Sequence, residues 1–227
     1  MPVIIRRATA ADSPALSHIC LLTADAGVSA ETLHKAGELP GIVYSVPYVH
    51  LPEAFGYVLV DNEKADDKFG GVVGYVVAAY DTRAYEKAFR DVWLPLYLAK
   101  YPLSSVDAEP TTDTPEYLRD LLPDDKQYIC RIHTAETSAA SDDSVAFSPA
   151  HMHINILPEY QRQGWGRKLI GQAVKHLKEN GLNGLWLGLH PKNTNARKFY
   201  SRVGFEEIPN ATSDVMGLRF ENWKDTE

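Results

Sequence analysis

Residues 150–205 carry the pattern that most narrows what this chain can fold into: strand, glycine turn, helix, strand, helix. His151-Met-His-Ile-Asn-Ile-Leu157 alternates polar and apolar residues, as a strand covered differently on its two faces does, and Pro158 ends it. From about Gly164 to Asn180 the residues Leu169, Ile170, Ala173, Val174 and Leu177 recur on one helical face, with Lys168, Gln172, Lys175 and Lys178 outside. Asn180-Gly181 supplies the stop. Leu185-Trp-Leu-Gly-Leu189 reads as a second apolar strand, and Asn193 to Arg202 as a short helix closed by Gly204 with Phe205 behind it. A strand-helix-strand-helix unit of this kind brings its two strands parallel through a right-handed connection.

Between the first strand and helix lies Gln161-Arg-Gln-Gly-Trp-Gly166. Two glycines let the backbone approach a ligand closely, and the free N–H groups of the helix start point one way. Such a turn suits a pyrophosphate, with Arg162, Arg167 and Lys168 placed to add charge-assisted contacts. Other nucleotide motifs fail: the third glycine of Gly-x-Gly-x-x-Gly would fall at Leu169, and no Gly-x-x-x-x-Gly-Lys-Ser/Thr occurs. From these residues alone, a purely structural tight turn stays open as the alternative.

Gln161-x-x-Gly164-x-Gly166 after a strand resembles the Arg/Gln-x-x-Gly-x-Gly/Ala signature of the GNAT N-acetyltransferase superfamily. Asn193-x-x-Ala196-x-x-x-Tyr200-x-x-x-Gly204-Phe205 is similar to that superfamily's other recurrent helix, and the two stand in the family's order. The resemblance covers residues 150–208 at motif level, and Ile5-Arg6-Arg7-Ala8-Thr9-x-x-Asp12 looks like the family's first strand and helix. It implies an α/β chain of α+β type: a mixed, mostly antiparallel sheet with helices on both faces and a parallel β-α-β-α unit for acetyl-CoA. It implies acetyl-CoA as co-substrate, held by Gln161, Arg162, Gln163, Gly164, Trp165, Gly166, Arg167 and Lys168, with Asn193, Ala196 and Tyr200 from the second helix. It places Tyr200 beside the cofactor sulfur as general acid. Asp81, Trp93-x-Pro95 and Ala150-His-Met-His-Ile154 also look similar to the acetyltransferase-like domain of eukaryotic O-GlcNAc hydrolases and its stand-alone microbial relatives. As that attached domain is known, its glycine turn is degenerate, whereas here Gln161 to Gly166 is complete, which favours real acetyl-CoA binding in this chain.

N-acetylation needs a deprotonated amine, a stabilised oxyanion and a proton for the leaving thiolate. His151, His153 and Asn155 are alternate residues of one strand and share a face, so either histidine is a candidate base, with an ordinary imidazole value near 6.5. A polar cluster is the equally open reading of these histidines. Backbone N–H groups near Ile156 and Leu157 are placed to polarise the thioester carbonyl and pair with the pantetheine arm. Asn193 is also a natural helix cap, which is compatible with cofactor contact. Asp81, Tyr85, Trp93, Tyr97 and Asn155 are the candidates for an acceptor pocket, where aromatic walls and a carboxylate suit a cationic amine. No metal is expected, because His151, His153 and His190 lack a matching ligand set at zinc spacing.

Elsewhere the signals are coarser. Residues 3–7 read as a strand, Thr9-Ala-Ala-Asp12 with Pro14 as a helix start, and residues 56–60 and 71–80 as a hairpin with a long loop. The aromatic stripe of 84–101 has helical spacing that Pro95 interrupts. Residues 104–125 read as an acidic, Pro-rich surface excursion, and Ser138 to Ser148 as a mobile segment. A net charge of −7 argues against nucleic-acid or anionic-membrane partners, which need clustered Lys/Arg. Cys20 and Cys130 read as two separate thiols, and Met1 to Arg7 matches no signal peptide. The expectation is therefore one domain over 1–227, with an acceptor-side region at 81–149 and a cofactor core at 150–208. It is cytoplasmic, a monomer or homodimer, and transfers acetyl to a small primary amine such as an amino sugar by direct attack. A catalytically idle acyl-CoA module and a protein lysine acetyltransferase are the alternatives.

Overall fold

The computed structural model describes residues 3–135 and 140–225. The strands β1 (Val3–Arg7), β2 (Ala54–Asp61), β3 (Val72–Ala79), β4 (His151–Ile156), β5 (Gly184–Gly188), β6 (Glu206–Glu207) and β7 (Val215–Arg219) form one sheet. Its order is β1-β2-β3-β4-β5-β7-β6, antiparallel at every junction except β4–β5. The helices are α1 (Ser13–Leu21), α2 (Leu39–Tyr44), α3 (Thr82–Ala88), α4 (Pro95–Leu98), α5 (Pro123–Thr134), α6 (Asp142–Phe147), α7 (Trp165–Glu179) and α8 (Thr194–Val203). Among the described residues, no helix is long and apolar enough to cross a membrane.

Two apolar layers cover the sheet. From Tyr75 to Ala79 the side chains of β3 alternate between them, which is why that strand reads as an unbroken apolar run and is buried throughout. One layer holds Tyr75, Val77 and Ala79 against α1, α2, α3 and α5. The other holds Val76 and Ala78 against α7 and α8. The expected parallel unit is present, and both of its helices begin and end as their sequence signals require. Gly164 opens α7 at φ +84°, Asn193 Oδ1 caps α8 by accepting from Ala196 N–H at 3.0 Å, and Gly204 closes α8 at φ +109°.

Two expectations change, while a third, the interruption of the 84–101 stripe at Pro95, takes a specific form: α3 runs into a wide turn, Phe89–Trp93, where Leu94 N–H reaches back five residues to the Phe89 carbonyl at 2.9 Å, and α4 restarts at Pro95. Pro95 has no N–H to continue an α ladder, and the wider turn accommodates that loss. The 104–125 excursion gives way at Pro123 to α5, whose polar first turn conceals a helix with Ile129 and Ile132 fully inside. Its Asp125 is itself buried, accepting from His34 Nδ1 at 2.9 Å and from the Lys35 and Leu122 N–H groups at 2.8 and 3.0 Å. Of the segment expected to be mobile, residues 138–139 lie outside the described residues. The remainder contains α6, because Ser141 Oγ takes the Ser144 N–H at 3.2 Å and Asp142 and Asp143 complement the positive helix start.

Candidate active site

The β4–β5 junction is where the sheet opens. The two strands are in register only at His151 opposite Trp186, with Trp186 N–H donating to the Ala150 carbonyl at 3.0 Å. On its other edge β4 pairs with β3 along its whole length, and Leu157 N–H donates to the Val73 carbonyl at 3.0 Å. Because amide direction alternates along a strand, the N–H groups of His153 and Asn155 also face β3, while those of Ile154 and Ile156 face the gap. Of the two amides expected near a thioester carbonyl, Ile156 is therefore available and Leu157 is not.

The glycine turn stands at the end of this gap. Arg162 at φ +59° and Gly164 at φ +84° are both left-handed and flank Gln163, which curls the backbone into a concave loop. The first turn of α7 has no intrahelical acceptors for its N–H groups, and among the described residues no carbonyl elsewhere accepts from Gln163, Gly164, Trp165 or Gly166. Gln161 and Gln163 are spent on the turn itself: Gln161 Nε2 donates to the Ile156 carbonyl at 2.8 Å and Gln163 Nε2 to the Glu159 carbonyl at 2.7 Å. Lys168 Nζ lies 4.3 Å from the centroid of Trp165. At Gly166 a Cβ would stand 3.1 Å from Phe199 Cζ, so its absence lets α8 pack over the first turn of α7.

Tyr200 projects from α8 into the layer shared with α7, 9% exposed, between Phe199 and Phe205 with ring centroids 5.4 and 5.2 Å away. Its hydroxyl makes no hydrogen bond to another described residue. Burial raises its pKa above the ordinary phenol value, so it stays protonated at neutral pH. Ala196 N–H and Asn193 Oδ1 are engaged with each other, which leaves the Asn193 amide nitrogen beside Gly27, where a Cβ would stand 3.1 Å away.

On the opposite face of β4 the two histidines part company. His151 is 6% exposed and held at both ring nitrogens. Thr82 Oγ1 donates to the Pro149 carbonyl at 2.7 Å and so accepts from His151 Nδ1 at 2.8 Å, while Tyr48 Oη donates to His151 Nε2 at 2.7 Å. That chain fixes a neutral imidazole, and burial with the neighbouring His153 ring pushes its pKa down to about 3. His153 is half-buried between Tyr44 and Tyr48, each 5.6 Å away by ring centroid, and neither nitrogen has a partner among the described residues. Burial pushes it down to about 4, not into the ordinary range. Asn155 joins a separate polar string, accepting from Tyr75 Oη at 2.9 Å and donating to Thr23 Oγ1 at 2.6 Å.

His151 and His153 open onto a cleft whose walls include Tyr44, Tyr48, Tyr85, Glu86 and Trp186. Tyr48 and Tyr85 stack at 4.4 Å, and Trp186 leans on His151 at 5.2 Å. Of the acceptor candidates, Tyr85 is here and the others are not. Asp81 is exposed and caps α3 through Ala84 N–H at 2.9 Å; Trp93 is a core residue whose Nε1 donates to the Ile42 carbonyl at 2.8 Å; Tyr97 packs on Trp93. Trp186 had a readable signal, since Leu185 and Leu187 belong to the α7 layer and the residue between them must face the other way. Tyr44, Tyr48 and Glu86 had none. No group of three or more His, Cys, Asp or Glu among the described residues is arranged to hold a metal.

Comparison with known proteins agrees with this architecture. The model of the Acetyltransferase (GNAT) family matches residues 116–205. A crystal structure of a protein named SsHAT is 31% identical, covering 97% of this chain and 99% of that one with a TM-score of 0.78. The [Ribosomal protein bS18]-alanine N-acetyltransferase of Haemophilus influenzae is 43% identical over 56 residues, which are 25% of this chain and 38% of that protein, so the match spans under two fifths of this curated relative. The PaiA N-acetyltransferase of Thermoplasma acidophilum, solved in complex with coenzyme A, shares the fold at 14% identity and a TM-score of 0.52. With its split β4–β5 junction, glycine turn and covering helices, the chain belongs to the GNAT acetyltransferase family.

Proposed function

We propose that the protein is an acetyl-CoA-dependent N-acetyltransferase acting on a primary amine of a small molecule by direct attack on the thioester. The observation that carries the reading is the opening of the sheet after a single β4–β5 pair, with the unpaired amides of Ile154 and Ile156 on one side and the glycine turn at its end. In this reading the pyrophosphate sits on the N–H groups of Gln163 to Gly166, and the pantetheine arm runs along β4 with the thioester carbonyl near Ile156. Arg162, Arg167 and Lys168 add positive charge beside the phosphates, and Asn193 contacts the cofactor from the facing strand end.

The amine approaches from the aromatic cleft. His153 takes its proton, because His153 is the imidazole with free nitrogens, whereas His151 is doubly engaged and holds Tyr48. Tyr200, on the opposite face of the sheet, gives its proton to the departing thiolate. The amine adds to the thioester carbonyl to give a tetrahedral oxyanion, which collapses by breaking the C–S bond, so base and acid act on different groups and can serve the gap from different faces. Residues 81–149 then form the acceptor side and 150–208 the cofactor side of a single unit, an arrangement suited to the cytoplasm where acetyl-CoA is made.

A second reading, acetylation of a protein N-terminus, is favoured by the names of the bS18-alanine acetyltransferases. One experiment separates the readings: CoA-thiol release from acetyl-CoA with glucosamine, a polyamine, a lysine peptide and an N-terminal alanine peptide. Turnover confined to small amines supports the proposal. Turnover with the alanine peptide alone supports the second reading, and tight CoA binding without turnover supports an idle cofactor module.

A further inference from the structure

Two polar groups of the cleft are unspent. The Tyr85 hydroxyl and the Trp186 indole N–H are both buried and make no hydrogen bond. Tyr85 is 6% exposed; its hydroxyl lies beside that of the stacked Tyr48, which sends its own proton to His151 Nε2, and the two phenols do not meet hydrogen-bond geometry. Tyr85 and Trp186 flank the same imidazole, their ring centroids each 5.2 Å from that of His151. Both residues line the one cleft, so two donors without partners stand in its walls. A buried donor left unmade is a standing penalty that a ligand acceptor removes.

The charge of the wall is equally specific. Among the described residues that line the cleft, Glu86 is the one carboxylate, held by an ion pair with Arg83, whose Nη1 donates to its Oε2 at 2.8 Å, and by Ala140 N–H on its Oε1 at 3.0 Å. No Lys or Arg is among the described residues that line the cleft, so an amino acid carboxylate or a phosphate finds no counter-charge among them. A polyamine brings a second ammonium to a site with one carboxylate.

From this we propose that Tyr85 and Trp186 form an oxygen-reading subsite, and that the acceptor is a monoamine carrying neutral hydroxyl or carbonyl oxygens on a compact body that stacks on aromatic rings. Those oxygens accept from Tyr85 Oη and Trp186 Nε1, while the ammonium enters between Glu86 and His153. An aryl- or cycloalkylamine without oxygens fills the same walls and leaves both donors unpaired, so it is the poorer substrate. The inference rests on the acetyltransferase reading above.

The test compares glucosamine with cyclohexylamine, a ring of similar size without the oxygens, by CoA-thiol release in the wild type, Tyr85→Phe and Trp186→Phe. The wild type is expected to favour glucosamine in kcat/KM by at least about 100-fold, and Tyr85→Phe to narrow that ratio about 10-fold, chiefly through KM. Trp186→Phe keeps a ring against His151 and removes only the N–H donor and part of the contact area, so it reports independently if Tyr85→Phe fails to fold. A wild-type enzyme that turns over cyclohexylamine as well as glucosamine, or variants that leave the ratio unchanged, overturns the subsite while the acetyltransferase reading stands. A wild type that releases no thiol with any amine overturns both.

Discussion

At the scale of single residues, His151 and His153 carry the clearest division of labour. They are face-mates two positions apart, yet one has both nitrogens bonded and the other has neither bonded among the described residues. Replacing His151 by Phe strands the Tyr48 hydroxyl in the core and is expected to lower stability by about 1–3 kcal/mol in a denaturant titration. His153→Gln is expected to leave the melting temperature nearly unchanged while reducing transfer about 100- to 10,000-fold. Equal loss of stability in both variants would show that His153 is simply a packing residue. The pH dependence follows from the low value of His153, pushed down to about 4 by burial. At pH 6 to 8 the ring is already neutral, so the rate rises there with deprotonation of the acceptor amine, and the histidine limb appears only below about pH 5. A limb near 6.5 that vanishes in His153→Gln would contradict this assignment. Tyr200→Phe is expected to slow transfer about 10- to 1,000-fold with CoA affinity retained, since the ring still packs on Phe205. Wild-type turnover in that variant would reduce Tyr200 to a core aromatic.

At the scale of elements, the helix start of α7 is the feature on which cofactor binding depends. Gly164 lies at φ +84° with nothing within 4 Å of a Cβ added there, so the obstacle to a side chain is backbone strain and not a clash. Gly164→Val is expected to distort the turn and lower CoA affinity at least about 10-fold by calorimetry, and unchanged affinity would move the pyrophosphate elsewhere. This element was legible in the sequence because its requirements are local: alternation, a glycine turn, an amphipathic run and a cap each occupy consecutive residues. The acceptor cleft was not. Its walls come from α2, the turn behind it, α3, β4 and β5, which meet only after the sheet is assembled. Trp93 and Tyr97 showed helical spacing in sequence, but Trp93 is a core residue bonded to the Ile42 carbonyl and Tyr97 packs half-buried against it. The α5 helix was hidden for the opposite reason, since its acidic start is a capping sequence that resembles a solvated loop until Asp125 is seen buried against His34.

At the scale of the whole molecule, two apolar layers cover a sheet that opens into a gap at one junction, with Tyr200 in the layer on one face and the aromatic cleft on the other. Keeping His151 and His153 neutral inside it has a consequence for stability. Burial lowers both values to about 3 and about 4, so the unfolded chain binds protons first as the pH falls. That contribution is intact above the unfolded value near 6.5 and is lost progressively through the window down to about 3, with a slope of up to about 1.4 kcal/mol per pH unit for each histidine. Denaturant midpoints between pH 7 and pH 4 are expected to fall, less steeply in His153→Gln, and a flat profile would mean that the cleft admits the imidazolium freely. The central claim is that this gap couples the cofactor to an amine. Quantifying free CoA and N-acetylated product in the same reaction, with wild type and Gly164→Val, tests it most directly. One acetylated amine per CoA released in the wild type, with both lost together in the variant, is the expected result; CoA released without acetylated amine, or equal product from the variant, would contradict it.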